Sequence, residues 1–142
     1  MSEVFFDQRK IAYLNQDGAE RPLKSPVTMQ TRVQAREYRL ARIREQLLLQ
    51  DYAAILLYDP VNIRYALDAS NMQVWTAHNA MRYALIFAEG PAVMFEFKGC
   101  EHLCEGLAGI DELRTSIPWI YMTSGDRTDE AVKKWSKEIV EL

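Results

Sequence analysis

The apolar positions change period several times along the chain, and each change predicts an element. From about Thr28 to Leu49, Val33, Leu40 and Leu47 recur every seven residues with Ile43 beside them, the stripe of an amphipathic helix. Ala53 to Tyr58 is apolar at every position. Such a run predicts a strand covered on both faces and central in its sheet. Asp59 then offers a cap and Pro60 suits a first helical position, which predicts one or two helical turns over Pro60 to Ala66. Met81 to Ala88 and Ala92 to Phe97 read as strands, and the turn residues Glu89-Gly90-Pro91 between them predict an antiparallel hairpin. A short helix is expected from Gly99 to about Leu107. A further strand is expected from Thr115 to Met122, with Trp119 and Tyr121 on one face and Ile120 and Met122 on the other.

Thr128 is the expected cap of the last helix, with Asp129 and Glu130 at the positive end of its dipole. Its apolar face, Val132, Trp135, Ile139 and Leu142, runs to the final residue without a Gly or Asn stop, which predicts a chain cut from something longer. Residues 1–27 carry Gly18, Pro22 and Pro26 and no sustained period; they are expected to be an arm or leader, lying on another surface or disordered. Helix, buried strand, hairpin and helix in this order predict an α/β fold.

Composition narrows the function classes. The chain has 142 residues, 49% hydrophobic and 26% charged, which suits one domain. A net charge of −3 lacks the basic surplus of a nucleic-acid binder. The helix flank Arg32, Arg36 and Arg39 is expected to be a solvated face paired with Glu37 and Glu45 rather than an anion contact. No run approaches the roughly 20 apolar residues of a bilayer span, so no membrane partner is expected. Val4-Phe5-Phe6, flanked by Glu3 and Asp7, is no secretory signal. Two cysteines form no disulfide framework, and the expected location is the cytoplasm.

Candidate chemistry is sparse. Cys100-Glu101-His102-Leu103-Cys104 invites a zinc reading. On a helix, however, His102 points away from the two cysteines, and core-facing thiols are the better expectation. There is no Gly-x-Ser-x-Gly turn and no Walker loop. Asp59, Asp68, Glu96 and Glu101 are scattered, with no pair marked for acid–base work. No catalytic residue or metal ligand is therefore assigned within the chain. One stretch stands apart: Asn71, Gln73, Trp75, His78 and Asn79 combine amides, a large aromatic face and an imidazole within nine residues. This mixture suits a pocket wall for a small polar or charged ligand. Arg64 or Arg82 is placed to hold a carboxylate by a forked contact, and Trp75 to face a cation. A long loop with turn-forming Asn residues and an anchoring Trp75 fits the same residues equally well.

Larger motifs carry a resemblance. Ile-Leu-Leu-Tyr-Asp-Pro-Val-Asn-Ile-Arg-Tyr-Ala at 55–66 resembles the opening strand and turn of the N-terminal domain of the creatinase/prolidase family of "pita-bread" metallohydrolases. The likeness continues through Asn-Met-Gln-Val-Trp-Thr-Ala-His-Asn at 71–79, Arg-Tyr-Ala-Leu-Ile at 82–86 and Phe-Glu-Phe-Lys-Gly-Cys-Glu-His-Leu at 95–103. Arg-Glu-Tyr-Arg-Leu at 36–40 fits as well. Within the family the chain is also similar to dimethylsulfoniopropionate lyases of that fold.

The resemblance implies a mixed β-sheet flanked by helices, with a ribonuclease H-like motif, over residues 28–142. It implies a following catalytic domain with a pair of divalent metals (Mn, Zn, Co or Fe), which this chain lacks. On that reading the chain is the non-catalytic domain of an Xaa-Pro peptidase- or creatinase-like hydrolase. Its partners are the catalytic domain and a second subunit of a homodimer. Asn71, Trp75, His78 and Asn79, supported by Arg64, would wall the neighbour's pocket for a small polar or peptide substrate. The same domain of a lyase, or a purely structural dimerisation module, are the alternatives. Asn79, Ala80 and Met81 replace the aromatic and arginine of creatine hydrolases, which argues against creatinase activity.

Overall fold

The computed structural model describes residues 12–14, 20–22, 27–70 and 81–142. The chain divides into two compact units between Gln34 and Ala35, inside the first helix. In the first unit, β1 (Ala12–Leu14) and β2 (Glu20–Pro22) form a two-stranded antiparallel sheet, an element the aperiodic sequence gave no reason to expect. The Thr28 hydroxyl accepts the Thr31 amide at 3.1 Å and caps the start of helix α1 (Met29–Leu49).

The second unit is a four-stranded mixed sheet with helices on both faces, as an α/β reading requires. Its strands are β3 (Ala54–Leu57), β4 (Tyr83–Phe87), β5 (Ala92–Glu96) and β6 (Glu112–Thr115), in that spatial order. β3, β4 and β5 pair antiparallel, and β6 lies parallel to β5. Alternation along the central strands sorts their side chains into two cores. Ala84, Ile86, Ala92 and Met94 pack against Ile63 and Leu67 of helix α2 (Pro60–Leu67) and against Leu40 and Ile43 of α1. Tyr83, Leu85, Val93 and Phe95 face the other way, against Trp135 and Ile139 of helix α4 (Thr128–Val140) and Leu142 beyond it. Tyr83 stacks on Phe95 with ring centroids 4.5 Å apart. Full burial of each such side chain contributes about 1.5–3 kcal/mol.

Three sequence expectations change. Among the described residues β3 is at the edge of its sheet, not central. Its apolar residues reflect layers on both faces of the sheet; a both-faces-apolar run reports coverage, not lateral neighbours. The strand expected over Thr115 to Met122 lies earlier, at β6. Pro118 has no amide to pair, residues 116–120 are irregular, and Tyr121–Ser124 form a single helical turn, α3. β6 is itself an edge with largely exposed polar residues, so a search for apolar alternation misses it. The helix expected after Gly99 is one 3₁₀ turn, Glu101–Leu103.

At α4 the expected cap is also different. Thr128 is already helical, and its hydroxyl donates to the Gly125 carbonyl at 2.8 Å instead of accepting a helix amide. The turn after β3 forms as expected. Pro60 opens α2, and the Asp59 carboxylate accepts the Asn62 amide at 2.7 Å. Replacing Asp59 by Ala leaves that amide without its cap, and urea unfolding followed by circular dichroism is expected to show a loss of about 1 kcal/mol. An unchanged midpoint would contradict the capping role.

Candidate functional site

Asn71, Trp75, His78 and Asn79 lie outside the described residues. Arg64, the fifth expected site residue, is exposed on α2. What the structure describes is the framework from which the 71–80 stretch departs and to which it returns.

Asp68 ends α2 in the left-handed conformation, with φ of 59°. A short polar side chain tolerates this region better than most. Its carboxylate accepts Arg36 Nε at 2.6 Å, and Arg39 Nη2 stands 3.9 Å away. Arg39 also lies over the Tyr65 ring, 5.7 Å from its centroid. Arg36 and Arg39, two of the three flank arginines expected to pair with Glu37 and Glu45, therefore turn to α2 and hold its last turn. Ala69 follows, fully buried.

On the far side of the stretch sits Arg82, only 5% exposed, at the foot of β4. Its Nε donates to Glu96 Oε2 at 2.7 Å, and its Nη2 donates to the Ser70 carbonyl at 2.7 Å. Glu96 is fully buried at the end of β5, and its Oε1 accepts the Phe97 amide at 3.0 Å. One guanidinium thus joins Ser70, the residue before 71–80, to Arg82, the second residue after it, and ties both to the sheet. Arg82 Nη1 is buried without a hydrogen-bond partner among the described residues. The forked carboxylate contact expected of Arg82 is replaced by the chain's own Glu96. The sequence held a signal for this: one carboxylate between Phe95 and Phe97, on an otherwise apolar strand, calls for a buried cation.

Cys104 joins the same cluster. It is buried, its thiol donates to Glu96 Oε2 at 3.4 Å, and Arg82 Nη2 approaches the sulfur at 3.9 Å. Burial, reinforced by the Glu96 carboxylate, pushes the thiol up to about 11. Cys100 is half-buried, and neither cysteine is in a disulfide. Among the described residues no group of three or more His, Cys, Asp or Glu side chains is placed to hold a metal ion.

The opposite face of the sheet carries a second polar cluster that the sequence reading did not single out. Trp119 and Trp135 have ring centroids 5.8 Å apart, and Tyr58 meets Tyr83 at 5.5 Å. Tyr58 Oη, both indole Nε1 atoms and Glu138 Oε2 are buried without hydrogen-bond partners among the described residues. Burial raises the Tyr58 hydroxyl above its ordinary range, and the two nearby indoles oppose the shift. Burial likewise raises the Glu138 carboxyl, against the pull of Arg114.

The class that this fold defines is a mixed α/β domain with helices on both sheet faces, and no protein-family profile matches the chain. Over 104 residues the chain is 36% identical to the dimethylsulfoniopropionate lyase DddP of Roseovarius nubinhibens, and equally so to that of Roseobacter denitrificans. The match takes in 73% of this chain but only 23% of either relative. The chain therefore corresponds to less than a quarter of the length of these lyases.

Two outcomes follow from the Arg82 cluster. Arg82→Met strands a buried carboxylate and is expected to lower unfolding free energy by about 3–5 kcal/mol at neutral pH, with Arg82→Met/Glu96→Leu recovering part of the loss. Equal stability of the single variant and the wild type would contradict the pairing. In iodoacetamide alkylation at pH 8, read by peptide mass spectrometry, Cys104 is expected to react slowly. Its thiolate population is on the order of a hundredfold below that of an ordinary thiol. Equal rates at Cys100 and Cys104 would contradict the burial.

Proposed function

We propose that this chain is the non-catalytic, substrate-flanking domain of a longer metal-dependent enzyme of the kind represented by the DddP lyases. The observation that carries the reading is the extent of the match, most of this chain against a small fraction of those relatives. The creatinase/prolidase-type motifs at 55–66 and 71–79 are in keeping with it. They also suit an Xaa-Pro peptidase, but the relatives identified by comparison are lyases, which favours the lyase reading.

On this reading the Asn71 to Asn79 stretch forms part of a pocket wall. Dimethylsulfoniopropionate carries a sulfonium cation and a carboxylate. The π face of Trp75 is suited to the cation, a contact contributing about 0.5–2 kcal/mol depending on desolvation. Asn71, His78 and Asn79 supply hydrogen bonds that orient the substrate, and Arg64 is a supporting cation for its carboxylate. The described residues do not fit a metal pair, so none of the chemistry is assigned to them. The pair belongs, in this proposal, to the catalytic part of the longer protein, which acts as a homodimer with the pocket completed across subunits.

The test uses the full-length protein that carries this domain. Wild type is expected to consume dimethylsulfoniopropionate, followed by proton NMR, and Trp75→Ala is expected to raise KM by up to about thirtyfold at unchanged oligomer mass. Cleavage of Xaa-Pro dipeptides without consumption of the sulfonium compound would return the peptidase reading. Lost assembly with unaltered kinetics per dimer would show a dimerisation module.

A further inference from the structure

Arg82 and Glu96 stand opposite one another at the open end of the β4–β5 hairpin, one step beyond the Tyr83–Phe95 pair. Both are buried, and Arg82 Nε meets Glu96 Oε2 at 2.7 Å. A buried ion pair is a poor stabiliser: well-packed apolar residues in its place often hold a fold as well or better. Stability of the hairpin alone therefore does not call for an arginine at position 82.

The guanidinium makes two contacts through two different atoms. Nε donates to the Glu96 carboxylate within the sheet, and Nη2 reaches out of the sheet to the Ser70 carbonyl at 2.7 Å. The planar fork fixes the angle between these bonds, so the place of Ser70 follows from that of Glu96. A lysine has a single ammonium on a flexible stem and no such fork. Nη1 is buried without a partner among the described residues. The group is thus aimed at Glu96 and Ser70 at the expense of its own full satisfaction.

Ser70 is the last of three consecutive residues held in place. The Asp68 amide bonds to the Arg64 carbonyl at 2.9 Å, and its carboxylate accepts Arg36 at 2.6 Å. Ala69 is fully buried, and Ser70 carries the bond from Arg82. On the return, Met81, Arg82 and Tyr83 are all buried. The contacts of Asp68 secure the end of α2, whereas the Ser70 contact joins the outgoing chain to the returning one.

We propose that Arg82 is a positioning residue for the substrate. Through the Ser70 carbonyl it sets where the 71–79 stretch begins, and so the affinity of the pocket that this stretch walls. Glu96 orients the guanidinium and touches no substrate. The kinetic consequence rests on the pocket-wall reading of 71–79; the anchoring rests on the described contacts alone. A displaced wall weakens binding and leaves the bond-breaking step to the catalytic part, so KM carries the effect and kcat does not.

The test uses the full-length protein that carries this domain. Arg82→Lys keeps a cation for Glu96 and loses the fork. Arg82→Met/Glu96→Leu removes both charges, and it decides the matter if the lysine variant does not fold. Hydrogen exchange without substrate, read by mass spectrometry, is expected to quicken about tenfold or more in the 71–80 amides, with β4 and β5 protected as in the wild type. Kinetics use whichever of dimethylsulfoniopropionate and an Xaa-Pro dipeptide the wild type turns over. KM is expected to rise about tenfold, as for the loss of one hydrogen bond to a charged group, at unchanged kcat. Asp59→Ala weakens the other end of α2 without touching Ser70, and as the control it keeps the wild-type KM. Wild-type exchange in 71–80, or protection lost evenly over β4 and β5, overturns the positioning role and leaves the pocket-wall reading standing. Faster exchange at unaltered KM overturns both. An Asp59→Ala protein whose KM rises as far as that of Arg82→Lys overturns the positioning role too, since general destabilisation then accounts for the change.

Discussion

A carboxylate with no access to water has to find a cation, and Glu96 finds Arg82. Much of the described structure depends on that constraint. Taking the two charges out of solvent costs several kcal/mol per ion. The cost is offset only because the remaining hydrogen-bonding capacity is largely used, by the Phe97 amide, the Ser70 carbonyl and the Cys104 thiol. The pair joins the foot of β4 to the end of β5, and through Arg82 it holds Ser70, the residue just before the 71–80 stretch. The Arg36–Asp68 pair does the same for the end of α2. Two ion pairs, one buried and one half-buried, thus hold the described residues on either side of the 71–80 stretch.

The elements legible in the sequence are those whose apolar pattern reports one physical fact at a time. α1 shows the stripe of Leu40, Ile43 and Leu47. α2 shows Asp59 and Pro60 at its start, and the β4–β5 hairpin shows Glu89-Gly90-Pro91 between two apolar runs. Where two facts share one signal, the reading fails. Ala53 to Tyr58 is apolar because helices cover both faces of the sheet, yet among the described residues the strand has one sheet neighbour. Glu112 to Thr115 is a strand that looks like loop because its side chains meet water. Glu96 on its apolar strand signals a buried cation but not which one, because Arg82, 14 residues away in sequence, meets it only once the hairpin register is set. Arg36 and Asp68, separated by 32 positions, needed the packing of α1 on α2.

The two faces of the sheet also differ in kind. The face under α1 and α2 is aliphatic apart from the buried Arg82–Glu96–Cys104 cluster. The face under α4 is aromatic, and leaves Tyr58 Oη, the Trp119 and Trp135 indoles and Glu138 Oε2 without partners among the described residues. Unsatisfied buried polar atoms carry a cost, and the α1/α2 side holds some as well, Arg44 Nε and Arg82 Nη1.

On the proposed reading the domain holds up a recognition segment, and chemistry belongs to the rest of a longer enzyme. The most direct test is a crystal structure of the full-length protein with dimethylsulfoniopropionate bound. The account predicts the sulfonium within about 6 Å of the Trp75 ring centroid, in a pocket completed across the subunit boundary. A substrate that touches no residue of Asn71 to Asn79, with Trp75 packed into its own domain, would contradict it.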